Sequence, residues 1–91
     1  MEFNCKEGLG PDVLKAMLAA LPDTRSYDGA ELIEAYVDED NPDCIMVWEK
    51  WAGRVNQESY VNWRTETGML AQFEAVLASP PRFVHLGQEK K

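Results

Sequence analysis

The residues able to do chemistry in this chain are few, which makes them easy to weigh. The single histidine, His85, is of the side-chain type that moves protons near neutral pH. Tyr60, Trp63 and Arg64 fall within one predicted helix. Two of them offer aromatic surface against which a planar ring can lie, and the guanidinium is able to stabilise an anion. Asn4, Tyr36 and Trp48 stand on predicted strands, where Asn4 offers hydrogen bonds and the other two offer more ring surface. One histidine cannot complete a Ser-His-Asp arrangement. With only Cys5 and Cys44 beside it, a four-ligand His/Cys metal site is excluded for one chain. Two cysteines are no disulfide framework either, and they read as free thiols buried in two strands. Asp38, Asp40 and Glu49 occupy the first, third and twelfth positions of a calcium loop, but Pro42 and Asp43 stand at its fifth and sixth positions. That segment reads as a solvated hairpin loop instead.

These side chains need elements to hold them. The run Cys44-Ile45-Met46-Val47-Trp48-Glu49-Lys50-Trp51 is the most strand-like in the chain. Side chains alternate along a strand, so Trp48 and Trp51, three apart, point to opposite faces of a sheet. Both faces must therefore be covered. Val13, Leu14, Met17, Leu18 and Leu21 recur at the spacing of one helical face, with Pro11 at the helix start and Pro22 as its stop. Phe3 and Cys5 mark a short first strand. Ala30 to Val37 reads as the second, and the acidic loop 38–43 leads into the third, 44–51. Val55 to Glu66 reads as a helix capped by Gly68. Met69, Leu70, Phe73, Val76 and Leu77 give another helical face, ended by Pro80-Pro81. Phe83 to Leu86 reads as a last strand.

Ninety-one residues make one domain. We place it at 1–87, with a polar tail at 88–91. A net charge of −7 argues against non-specific nucleic-acid binding, which requires clustered Lys and Arg. No apolar stretch approaches the ~18 residues of a membrane span, and the first residues lack a signal-peptide core. We therefore expect a cytoplasmic protein with no nucleic-acid or membrane partner.

The order strand, helix, strand, strand, helix pair, strand (β-α-β-β-α-α-β) is that of a ferredoxin-like, split βαβ α+β fold. It predicts a four-stranded antiparallel sheet with helices on one face. The other face would then be an apolar patch too large for a monomer. A second copy packed against it, giving a two-fold homodimer, is the simplest cover.

Three stretches carry a family resemblance: Leu21-Pro22-Asp23-Thr24-Arg25 through Gly29; Val37-Asp38-Glu39-Asp40-Asn41-Pro42; and Val47-Trp48-Glu49-Lys50-Trp51. With Thr67-Gly68 and Leu77-Ala78-Ser79-Pro80-Pro81, they resemble the antibiotic biosynthesis monooxygenase domain family. The resemblance implies a dimeric α+β barrel, two subunits packed sheet to sheet. It also implies oxygenation of a small aromatic or quinol-type substrate, with no cofactor and no metal.

Such chemistry needs a held ring, a stabilised anion and a dry site. The resemblance places Trp63, Asn4 and Arg64 as candidate catalytic residues and Tyr60, Tyr36, Trp48 and His85 as candidate ligand-binding residues, facing one pocket between helices and sheet. Asn4 would bond a quinol oxygen, Arg64 its anion. The haem-degrading branch of the superfamily also has a tryptophan matched by Trp63, but its histidine ligand ten residues on is replaced here by Phe73. The plainer readings are a core role for Trp48 and Trp51, a surface cation at Arg64, and structural roles for Asn4 and His85. The competing function is a non-catalytic dimeric module that binds a small planar ligand. A third reading is an interaction domain with no pocket.

Overall fold

The computed structural model describes residues 1–89 as a small α+β protein. In chain order its elements are β1 (Glu2–Asn4), α1 (Gly10–Arg25), β2 (Ala30–Asp38), β3 (Asn41–Trp51), α2 (Arg54–Glu66) and α3 (Met69–Glu74). The three strands form one antiparallel sheet in the order β1-β3-β2, so β3 is central. Among the described residues no helix is long and apolar enough to cross a membrane.

Strand parity divides the sheet. Phe3, Ile33, Ile45 and Val47 are buried with Val13, Met17 and Leu21 of α1, and this is the core. Ile45 has no exposed surface at all. The alternate residues Leu32, Tyr36, Met46 and Trp48 lie in register on the other face and are exposed. Trp51 packs against the core while Trp48 does not, as their three-residue spacing requires.

Several boundaries differ from those read in the sequence, among them the end of the last helix, which stops at Glu74 and leaves Val76 and Leu77 outside it. In addition, α1 runs through Pro22 to Arg25. A proline within a helix removes one N–H and one bond. The acceptor it leaves is the carbonyl of Leu18, an exposed residue open to water. Leu21 and Thr24, both buried, hold the last turn in place. Residues 83–86 do not form a strand, and the sheet among the described residues has three strands rather than four. The segment just before them runs along the outer edge of β1 instead. Lys6 N donates to Val76 O (2.9 Å), Ala78 N to Asn4 O (2.8 Å), and Glu2 and Arg82 exchange two bonds (2.8 and 2.9 Å). Pro80 and Pro81 have no N–H, which limits this pairing to isolated bridges. The third strand also begins earlier than expected, at Asn41, leaving a tight turn at 39–40. The last two positions of the expected polar tail, 90–91, lie outside the described residues.

The start of α1 is fixed from across the molecule. No side chain of the helix caps it. The Asp43 carboxylate of β3 accepts from Gly8 N (3.0 Å) and Gly10 N (2.8 Å) instead. Gly10 is buried against β3 so closely that a Cβ there would collide with the Pro42 carbonyl oxygen and lie 2.6 Å from Asp43 Cα.

Candidate functional site

Between α1, α2, α3 and the covered face of the sheet lies a cavity of about 40 Å³. Its walls are apolar: Met17, Leu21, Ile33 and Val47 on one side, Met69, Leu70 and Phe73 of α3 on the other. Its polar groups are Thr24, Glu49, Tyr60 and Arg64. The volume holds about two or three waters. It is far below the roughly 300 Å³ at which drug-sized ligand pockets begin. The α3 wall carries no fully buried residue, follows Gly68 in the left-handed conformation (φ 81°), and packs on α2 and, through Phe73, on Phe3.

Arg64 is buried, with 7% of its surface exposed, where the sequence offered a surface cation as the plainer reading. It reaches the interior because Tyr60, one helical turn earlier, is buried on the same face of α2. Arg64 Nε donates to Tyr60 Oη (2.8 Å), and Nη2 donates to Thr24 Oγ1 (3.1 Å) and Ala20 O (3.2 Å). A guanidinium only donates. Thr24 Oγ1 also lies 2.7 Å from Tyr60 Oη and 3.3 Å from Ala20 O, so these groups form one network between α2 and α1. Every acceptor of Arg64 is neutral. The one ion pair among the described residues is Arg54–Glu58, elsewhere on α2, and Nη1 of Arg64 has no acceptor among them.

Glu49 sits on the covered parity of β3, an unusual place for a carboxylate. Trp51 Nε1 donates to its Oε1 (2.8 Å). Its other oxygen, Oε2, is buried and has no partner among the described residues. Burial raises the Glu49 pKa above its ordinary value of 4.5. The Trp51 bond and the charges of the Met1 ammonium and His85 work against that rise without cancelling it.

Trp51, Tyr60, Trp63 and Tyr27 form one aromatic group behind the cavity. Tyr27 stacks on Trp63 (centroids 5.4 Å apart, planes at 26°) and meets Tyr60 edge-on at 5.3 Å. Trp51 lies 5.3 Å from Tyr60. The guanidinium of Arg64 stands 4.4 Å from the Trp63 ring centre, a cation–π contact. Trp63 thus backs Arg64 but does not line the cavity.

Of the residues expected at the pocket, Tyr60 and Arg64 are there. Four are not. Tyr36 and Trp48 are on the opposite, exposed face of the sheet, because their parity on β2 and β3 differs from that of Ile33 and Val47. Asn4 shares that face through its pairing with Cys44, and its Nδ2 donates to Glu2 Oε1 (3.0 Å). His85 is exposed in the irregular segment after Arg82. Sequence reasoning missed Glu49, Thr24 and Tyr27. Glu49 had a signal, since it shares its parity with Val47 and Trp51 on the most apolar strand. Thr24 and Tyr27 had none, lying in what read as a connecting turn. Among the described residues no three His, Cys, Asp or Glu side chains group as metal ligands. Comparison with family models and with curated proteins finds no match.

Proposed function

We propose that this chain is a cofactor-independent oxygenase of the antibiotic biosynthesis monooxygenase type, acting on a small aromatic hydroxy or quinol-type substrate in the cavity between helices and sheet. The observation that carries this reading is Arg64: a buried guanidinium without a carboxylate partner among the described residues, on the edge of an apolar cavity. Its Nη1 has no acceptor among the described residues, and an anionic ligand oxygen there would make a charge-assisted bond. The apolar walls would exclude water and strengthen the attraction. A phenol with an open para position supplies four electrons to dioxygen, one oxygen atom entering the ring and the other leaving as water, so that phenol plus O2 gives quinone plus H2O. Ring entry requires α3 to swing outward about Gly68.

The finer architecture belongs to the same proposal. The segment 76–82, bonded along β1, stands where the fourth strand of a ferredoxin-like sheet would lie. The exposed row Leu32, Tyr36, Met46 and Trp48, of which Trp48 is 53% exposed, is the face on which a second copy would close a dimeric barrel.

The test is oxygen uptake with naphthol- and anthrone-type compounds. We expect one O2 consumed per quinone formed, and loss of at least 90% of the rate in Arg64→Gln. The alternative is a non-catalytic module for a small planar ligand that enters by the same movement of α3. Saturable binding with no oxygen uptake would select it.

A further inference from the structure

We propose that Glu49 is the proton-accepting group of this cavity and Arg64 the counter-ion of the anion it creates, so that the site takes hydroxylated aromatic molecules and holds them as phenolates. This rests on the reading of the cavity as a ligand pocket.

The geometry divides the labour. Oε1 of Glu49 is engaged by Trp51, which orients the carboxylate; Oε2 has no partner among the described residues and is buried on a residue that lines the cavity. Tyr60 and Thr24, the other oxygen-bearing side chains of the wall, are already bonded to each other and to Arg64. Glu49 is therefore the one lining group with both a free lone pair and a charge to take up a proton. Arg64 cannot accept one, but its Nη1 can donate to the oxygen left behind. In the step, the ligand O–H bond breaks and its electron pair stays on oxygen. The proton forms a new O–H bond at Oε2, and no electrons change hands. The charge moves from a carboxylate in no salt bridge among the described residues to an oxygen beside a guanidinium. Burial, which raises the proton affinity of Glu49, favours the same direction. The Met1 ammonium and His85 oppose it, and Arg64 lines the same cavity.

The probe is 4-nitrophenol, whose phenolate absorbs visible light and whose neutral form does not, with 4-nitroanisole as the matching molecule that has no proton to give. Both are titrated into the intact protein at a pH below the free ionisation of the phenol, following tryptophan fluorescence for binding and visible absorbance for ionisation. We expect nitrophenol to bind with saturable growth of the phenolate band, and nitroanisole to bind at least tenfold more weakly. In Glu49→Gln, close in shape and able to keep the Trp51 bond, the bound probe should stay neutral. In Arg64→Lys, which keeps the charge, the phenolate band should persist with reduced affinity. Equal binding of both probes, with nitrophenol neutral in the wild type, overturns the proposal and leaves the pocket standing. An undiminished phenolate band in Glu49→Gln overturns the role of Glu49 alone. Binding of neither probe removes the pocket and the proposal together.

Discussion

Arg64 Nε donates to the hydroxyl of Tyr60 at 2.8 Å, and the same hydroxyl lies 2.7 Å from that of Thr24. Thr24 in turn bonds the carbonyl of Ala20. The chain of donors ties α2 to α1 through buried groups. Tyr60→Phe would leave Arg64 Nε without its acceptor, at a cost of about 1–3 kcal/mol. Urea denaturation should show this, and the Thr24→Val, Tyr60→Phe double variant should lose less than the sum of the single losses, since both break one network.

Glu49 makes stability depend on pH. Its folded pKa lies above 4.5 because burial disfavours the charged form. Between the unfolded and folded values the native state therefore binds more protons than the unfolded state, and stability falls as pH rises through that window. The groups that face Glu49 are the Met1 ammonium, His85, Trp51 and, across the cavity, Arg64. Glu49→Gln should remove this term. Thermal melts from acid to neutral pH should show the variant gaining on the wild type as pH rises above 4.5, with the difference flat below it.

Gly10 is required by packing and not by its backbone angle. Gly10→Ala places a methyl against Pro42 and Asp43 backbone and should cost about 1–3 kcal/mol, the range for overpacking. Gly8→Ala, at φ 81° with open space around it, should cost only about 1–2 kcal/mol of backbone strain. Chemical denaturation of the two variants compares clash with strain. Equal losses would remove the packing argument.

The central strand is the stability test of the core. Ile45 has no exposed surface, and Ile45→Ala should lose about 2–5 kcal/mol, read as a lower urea midpoint.

Trp48 tests the dimer. It is exposed on the open face of the sheet, so Trp48→Glu should change monomer stability by less than about 0.5 kcal/mol. If the face holds a second copy, the same change should convert a sedimenting dimer into a monomer. A wild-type chain that sediments as a folded monomer at micromolar concentration would end the barrel proposal.

What the sequence determined by itself was local and periodic. The helical face Val13 to Leu21, the strand 44–51, and the opposite directions of Trp48 and Trp51 followed from spacing alone, because 3.6- and 2-residue periods are set by backbone geometry. It also brought Tyr60 and Arg64 onto one helical face. The tertiary structure decided what those faces meet. Parity shows that Tyr36 and Trp48 share a face, but only the packing of α1 on Ile33, Ile45 and Val47 makes that face the open one, taking both residues and Asn4 away from the cavity. Pro22 reads as a stop, yet buried Leu21 and Thr24 carry the helix past it. Glu49 reads as one acid among sixteen. Its meaning came from the fold, which buried one of its oxygens without a partner on a residue that lines the same cavity as Arg64.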